Sequence, residues 1–170
     1  MDMAFSRDSG KVIHGTALTF GMKFPIFCAA FLASVSLTVN AQNLSDQDIN
    51  LMSASLKAVK IYKQGGVSAL FDGMNQCYTQ QEQKKTHPRK EVEFCVALDM
   101  SAVFIDYSMA QANGFPRDKR FMDDVASSRM HIMLEKLGVS KGITDTQKYL
   151  GLRNERVQKY TNRAMTLPAN

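Results

Sequence analysis

The chain has 170 residues, enough for one domain, and its 45% of hydrophobic and 22% of charged residues are ordinary globular usage that excludes a disordered or fibrous protein. The formal net charge is +5, but Lys and Arg alternate with acidic residues along nearly every segment. Because the sequence lacks the concentrated basic stretch of a nucleic-acid-binding protein, we expect no nucleic-acid partner.

An uncharged apolar run, FPIFCAAFLASVSLTV, occupies residues 24–39. It follows the cation of Lys23 and ends in Val39-Asn40-Ala41, an order that is typical of a secretory signal peptide. We therefore expect residues 1–41 to be an N-terminal extension and cleavable signal peptide, and residues 42–170 to form a single helical domain in the periplasm or outside the cell. Membrane contact is expected only through the signal peptide before cleavage. An uncleaved anchor is the alternative, although the run is shorter than the about 20 apolar residues that span a bilayer.

Two helices are predicted before residue 85. Ser45 and Asp48 resemble a capping box at the start of the first helix, and Gly65-Gly66 stops it. Its apolar residues recur at helical spacing and predict an inward face of Ile49, Met52, Leu56 and Val59. The second helix is predicted from Val67 to about Lys84.

The third predicted helix starts at Pro88, which suits a first helical turn, and ends near Asn113-Gly114. Its centre, FCVALDMSAVFI, is apolar nearly all round, which indicates burial on several sides. Glu93, near its start, is assigned to the favourable positive end of the helix dipole. We expect this helix to be the central one.

Two further helices complete the prediction. The fourth runs from about Asp118 to Leu137, and its predicted inward face is Phe121, Val125, Ile132, Met133 and Leu137. The fifth opens with a capping box of Thr144 and Gln147. The fifth helix carries an excess of cations, which indicates a solvated surface and leaves an anionic partner as the alternative. No segment alternates as a strand does, so the expected fold class is all-α, a small bundle of about five helices.

Cys77 and Cys95 lie at nearly equal distances on either side of a polar turn around Thr86. Equal spacing from the turn brings two residues face to face in an antiparallel helical hairpin. We therefore expect the second and third helices to form such a hairpin, stapled by a Cys77–Cys95 disulfide in an oxidising compartment. The alternatives are a metal site and a reactive thiol. No CxxC or HxxxH spacing supports a metal, and we expect neither a metal nor another cofactor.

Asp99 and Asp106 are acidic residues within the most apolar helix, seven residues apart and thus on one face. Two carboxylates about 10 Å apart along one helix suit the flanks of a scissile bond, as in inverting glycoside hydrolysis. The alternative is structural: each acid caps a helix or pairs with an arginine such as Arg129, because buried charges require partners.

The segment from Gly114 to Arg120 is the most distinctive loop, with an aromatic residue, a proline and a cluster of cations. It is a candidate recognition surface, because binding residues often lie on loops held by a rigid scaffold. Its members are Phe115, Pro116, Arg117, Lys119 and Arg120. In the alternative it is a helix connector in which Phe115 fills the core and the charges face water.

The pattern as a whole predicts an exported protein, not an enzyme, that works by binding another macromolecule, with a protein as the expected partner. An inhibitor or immunity-type protein is one form of this hypothesis. In general outline the chain resembles small periplasmic helical proteins such as acid-stress chaperones and the immunity proteins that neutralise cell-wall-degrading toxins, but no motif is shared and no residue role is implied. Two alternatives remain: a hydrolase that uses Asp99 and Asp106, and a carrier that holds an apolar ligand in a cavity of some hundreds of Å³.

Overall fold

The computed structural model describes residues 44–168, and the predicted signal peptide of residues 1–41 lies outside this range. The helices are α1 (Asp46–Glu82), α2 (Arg89–Asn113), α3 (Asp123–Lys136) and α4 (Ile143–Thr166), with a 3₁₀ turn at Lys119–Phe121. The described residues contain no strand, so the all-α class is confirmed. They form four α-helices rather than about five, which corrects the predicted number. No helix in residues 44–168 has both the length and the apolar character needed to cross a membrane.

The first two predicted helices are one element, α1, which accounts for the difference in number. Gly65 and Gly66 leave helical geometry, with φ/ψ angles of −151°/15° and 65°/−157°. The positive φ of Gly66 is readily adopted only by glycine. The predicted stop is therefore a break inside α1, made by these two glycines alone, between an N-arm (residues 46–64) and a C-arm (residues 67–82). The arms pack closely, because a Cβ atom on Gly73 would lie 2.8 Å from Ile61 Cδ1.

The N-arm packs along α2 through polar contacts as well as apolar ones. Asn50 Nδ2 donates to the carbonyl oxygen of Lys90 at 2.8 Å, and Ser55 Oγ lies 3.1 Å from Ser101 Oγ. These contacts advance in the same direction along both elements.

The C-arm is joined to α2 by the Cys77–Cys95 disulfide, whose Cα atoms are 5.6 Å apart. Just beyond the end of α1, Lys84 forms an ion pair with Glu91. The contacts therefore move toward the start of α2 as the C-arm approaches its end. The predicted disulfide is present.

The centre of the bundle is α2, in which residues 95–102 are all buried. This confirms the predicted burial on several sides. At its middle, Ser101 Oγ donates to the carbonyl oxygen of Ala97 at 2.8 Å and is contacted at 3.1 Å by Ser55 of α1 and by Thr161 of α4. The three hydroxyls thus satisfy one another where burial would otherwise make them costly.

Two predicted inward faces are wrong in part. Val59 of the N-arm is buried as predicted, and so are Phe121, Met133 and Leu137 of the fourth predicted helix. Ile49 and Leu56 of the N-arm are instead 43% and 40% exposed, and Val125 and Ile132 of α3 are 44% and 60% exposed. For α3 the reason is its start: the backbone at Asp118 and Met122 is extended on either side of the 3₁₀ turn, so the helix begins five residues later than predicted. A later start breaks the continuous helical register on which the predicted face depended.

The start of α4 also differs from the prediction. Gly142 is its N-cap, with a φ of 139° and no side-chain hydrogen bond, and Ile143 is the first helical residue. The predicted capping box of Thr144 and Gln147 is not formed, because Thr144 already lies inside the helix. By contrast, Ser45 caps α1 as predicted, since its Oγ accepts the Asp48 amide at 3.1 Å.

Candidate functional site

The loop between α2 and α3, residues 114–120, presents an exposed aromatic side chain; we call it the Phe115 loop. Gly114 ends α2 with a φ of 67°, a left-handed conformation that glycine adopts without steric cost. Phe115 is 70% exposed, and Pro116, also exposed, favours an extended backbone at the residue before it. The loop thus holds an aromatic ring in solvent on a restricted backbone.

Arg117 ties the Phe115 loop to the bundle. Its guanidinium donates to Asp106 at 3.3 Å, to Asp123 at 2.9 Å and to the carbonyl oxygen of Phe121 at 2.5 Å. It also lies over the ring of Tyr107, 5.4 Å from the ring centre. Every part of this side chain is engaged, so Arg117 fixes the loop to the bundle.

Arg120 is held in the same way by Asp118. The carboxylate accepts two guanidinium hydrogen bonds, at 2.9 and 2.7 Å, and also accepts the Arg120 backbone amide at 2.9 Å. The hydrogen bonds from Arg120 lower the pKa of Asp118 to about 2, although partial burial acts in the opposite direction. The guanidinium also stacks over Phe71 at 4.8 Å. Phe115 therefore does not fill the core, as it would in the connector alternative. Of the predicted members of the loop, Phe115, Pro116 and Lys119 face solvent.

Asp99 is sealed in the interior and paired with an arginine. Its side chain is 0% exposed, and its oxygens accept from Arg129 at 2.6 and 3.0 Å and from Tyr78 Oη at 3.2 Å. Burial raises the pKa of Asp99, while the hydrogen bonds from Arg129 and Tyr78 act to lower it. Arg129 also donates to the carbonyl oxygen of Arg120 at 2.9 Å, which links the pair to the Phe115 loop.

Asp106 faces a different set of partners. It is 4% exposed and accepts from Arg117 and, at 3.1 Å, from the Asp118 amide. Asp99 and Asp106 thus each serve a separate structural contact, and neither of them lines the cavity between α2, α3 and α4 that is described next. A carboxylate that is closed to solvent and occupied by an arginine cannot reach a substrate, which argues against the hydrolase alternative.

A cavity of about 520 Å³ opens beside the Phe115 loop, between α2, α3 and α4. Its floor is apolar, with Met100, Phe104, Met130 and Leu150, and its rim carries Arg117, Tyr107, Asp123 and Asn154. Gly151 of α4 also lines it, and a Cβ atom there would meet no atom within 4 Å. The volume lies within the range of small-molecule sites and is ample for one large side chain of a partner.

The cysteines and His131, which are the other candidates for a metal site or a reactive group, make structural contacts. Both Cys77 and Cys95 are consumed by the disulfide, so neither supplies a thiolate to a metal or a substrate. Residues 44–168 contain no group of three His, Cys, Asp or Glu side chains that is arranged to hold a metal ion. His131 Nδ1 lies 2.9 Å from Thr146 Oγ1 and is part of the α3–α4 contact.

A second buried ion pair, between Glu93 of α2 and Arg153 of α4, is not predicted by the sequence reasoning. Their nitrogen and oxygen atoms are 2.7 Å apart, and both side chains are less than 9% exposed. The prediction assigns Glu93 to the helix dipole and the cations of the fifth helix, of which Arg153 is one, to a solvated surface. The burial of Arg153 could have been predicted from its position. It lies four residues after Tyr149 and four before Val157, and these three residues share the buried stripe of α4.

Comparison with known protein families, with curated protein sequences and with solved structures gave no match to this chain.

Proposed function

We propose that this chain is an exported, non-catalytic protein that binds a protein partner through the Phe115 loop and the cavity beside it. One observation carries the proposal: Phe115 is 70% exposed on a loop that Arg117 ties to Asp106 of α2 and whose Arg120 lies over the ring of Phe71 in α1. Aromatic residues are enriched in protein interfaces and supply much of their binding energy. The partner is inferred to be a protein because a side chain that protrudes from a fixed loop suits a pocket on another folded surface.

The fixed conformation of the loop lowers the free-energy cost of binding. Association costs free energy for every side chain and loop that must be immobilised, so a loop that is already fixed loses less. Inhibitors commonly use such pre-organised surfaces, with little backbone change on binding. We accordingly propose an inhibitor or immunity-type role as the form of this binding.

Export is part of the same proposal. Disulfides persist in oxidising compartments such as the periplasm or the extracellular space, and Cys77–Cys95 is such a bond. We further infer that the C-arm of α1 and α2 act as one antiparallel hairpin braced by this bond. The hairpin would hold α2 rigid, and α2 in turn supports the Phe115 loop at its C-terminal end.

The test is capture of the partner by matched variants. The purified protein, Phe115→Ala and Ile143→Ala are immobilised and exposed to extract of the compartment that contains the protein, and captured proteins are quantified by mass spectrometry. Ile143 is the control because it is also an exposed apolar side chain, at 61%, and lies away from the loop in sequence. We expect one protein to be captured by the parent and by Ile143→Ala, and at least tenfold less by Phe115→Ala, as for an aromatic hot spot. Equal capture by all three variants, or no enriched protein, contradicts the proposal.

A second candidate function rests on the cavity itself: a carrier that binds a small apolar ligand. The apolar floor and the 520 Å³ volume favour it. Gly151→Leu separates the two candidates, because it fills the cavity from an open position. A carrier loses its ligand in Gly151→Leu but keeps it in Phe115→Ala, whereas a protein-binding surface is weakened most by Phe115→Ala.

A further inference from the structure

Two helices place exposed apolar side chains on one side of the bundle. In the N-arm of α1, Ile49 and Leu56 belong to the predicted inward face but are exposed in the structure. In α4, Leu152 is 64% exposed. None of these three side chains belongs to the Phe115 loop or lines the cavity beside it, so an interaction here would be independent of the proposed function.

Each of these side chains belongs to a stripe that also carries cations. The stripes recur at intervals of three and four residues, which is the spacing of one helix face. Their members are Ile49, Met52, Leu56, Lys60 and Lys63 in α1, and Leu152, Arg156, Lys159, Arg163 and Leu167 along α4 and its C-cap. Met52 and Arg156 are half-buried, and the other members are exposed.

Side-chain contacts hold the two stripes next to each other. At one end, Arg156 donates to Asp48, the residue before Ile49, at 3.2 Å. At the other end, Lys63 Nζ donates to the carbonyl oxygen of Leu167 at 2.6 Å. The N-arm and α4 therefore run in the same direction, and the two stripes form one surface, which we call the α1–α4 face.

The α1–α4 face has an excess of positive charge. Residues 49–64 contain three lysines and no acidic residue, and residues 152–167 contain one acidic residue, Glu155. Arg156 is neutralised by Asp48. Within residues 44–168 the other four cations of the face form no ion pair. Four cations against the carboxylate of Glu155 leave three positive charges in excess.

We infer that the α1–α4 face binds the surface of a bilayer that contains anionic lipids. Cations interleaved with exposed leucine or isoleucine are typical of helices that lie in a membrane interface. There the apolar side chains enter the boundary of the acyl chains and the cations contact the headgroups. The inference adds a membrane contact of the folded domain to the one expected of the signal peptide.

The composition of the face favours a bilayer over two other anionic partners. Lysine is depleted at protein–protein interfaces, whereas Lys60, Lys63 and Lys159 make up most of the unpaired charge here. A nucleic acid would bind the cations through its phosphates and would leave the exposed leucines without a contact. A bilayer uses both kinds of side chain.

The first test is cosedimentation with vesicles of phosphatidylcholine, with and without phosphatidylglycerol. The protein is used without residues 1–41, because their apolar run would itself enter a bilayer and every described helix lies within residues 44–168. We expect binding that requires phosphatidylglycerol. Lys60→Gln/Lys159→Gln should bind at least tenfold more weakly, since each cation near an anionic bilayer raises affinity several-fold.

The matched control for charge is Lys85→Gln/Lys141→Gln, which removes the same charge from exposed positions outside both stripes. The control should bind within twofold of the parent. Absence of binding to either vesicle, equal binding to both, or an equal loss in the two double variants overturns the inference.

Leu152→Gln separates a bilayer from a purely electrostatic partner. It should weaken vesicle binding about fivefold, because it removes an apolar side chain that would leave water on binding. Ile132→Gln is its control, since Ile132 is 60% exposed on α3, outside the face, and should leave binding within twofold. All of the substituted side chains are exposed, so every variant should keep the circular dichroism spectrum of the parent. A loss in Lys60→Gln/Lys159→Gln without a loss in Leu152→Gln indicates a soluble polyanion and overturns the assignment to a bilayer.

Discussion

The buried pair of Asp99 and Arg129 offers the sharpest test of how the bundle supports the Phe115 loop. The pair is sealed on the aspartate side, at 0% exposure, and nearly so on the arginine side, at 17%. Removing one partner of a buried ion pair costs about 3–5 kcal/mol, because the other charge is left without compensation. Asp99→Asn should cost about 3 kcal/mol, the lower end, since Arg129 keeps some access to water. Arg129→Met should cost more, since the carboxylate of Asp99 has none.

The two single variants should also differ in their dependence on pH. In Arg129→Met, burial still raises the pKa of Asp99, but the hydrogen bonds and charge of Arg129 no longer lower it. A carboxyl group whose pKa is higher in the folded than in the unfolded state stabilises the fold below the unfolded pKa and loses that contribution as pH rises through the folded one. The stability of Arg129→Met relative to the parent should therefore fall from about pH 4 toward neutral pH.

The assay is urea unfolding followed by circular dichroism, with Asp99→Asn/Arg129→Met as the double variant. Removing both charges should cost less than the sum of the two single changes, a coupling that the double-mutant cycle measures directly. Lys136→Met is the matched control, because its ion pair with Glu82 is exposed and should contribute less than about 1 kcal/mol. If Asp99→Asn costs no more than Lys136→Met, or if the single costs simply add, Asp99 and Arg129 do not form a sealed, coupled pair.

Three further predictions concern stability. Reduction of Cys77–Cys95, or its replacement by two serines, should lower the free energy of unfolding by about 3 kcal/mol, because the bond spans a sequence separation of 18 and constrains the unfolded chain; overlapping urea curves with and without reductant contradict this. Asp118→Asn should cost about 1 kcal/mol at pH 7, since solvent screens the partly exposed pair. The cost should shrink as pH falls below the unfolded pKa of 3.8 and vanish only below the folded pKa of about 2, where the carboxylate is protonated in both states. A pH-independent cost excludes Arg120 as the cause. Gly151→Ala should stabilise α4 by about 1 kcal/mol and so raise the melting temperature, because alanine favours a helix more than glycine does. Gly66→Ala should lower the melting temperature, because Gly66 has a φ of 65°. Equal effects of the two changes refute the break in α1.

Local signals in the sequence predicted some helix ends correctly and parts of the helix faces. Ser45 caps α1 and Gly114 ends α2 because each cap depends on a few neighbouring residues. The face of the N-arm failed because Asn50 and Ser55 are buried while Ile49 is exposed. The partners that satisfy those polar residues come from more than 40 positions away in the chain, which no local pattern reveals.

The candidate site was predictable to a similar extent. A buried Asp99 needed a cation, and Arg129 was the stated example because buried charges require partners. The orientation of the Phe115 loop was not predictable, since a composition of one aromatic residue and several cations fits either inward or outward arginines. Asp106 and Asp123 decide between them by accepting from Arg117, and their proximity depends on the tertiary fold.

Two flanks of α4 lie on opposite sides of its buried stripe. At about 100° per residue, the α4 positions that line the cavity beside the Phe115 loop, such as Asn154 and Gln158, point on average roughly 180° away from positions such as Lys148, Leu152 and Arg156. Changes on the flank of Lys148 should therefore leave capture of the protein partner intact. If Lys148→Gln abolished that capture, the interface would have to extend around α4 and could not be confined to the Phe115 loop and the cavity beside it.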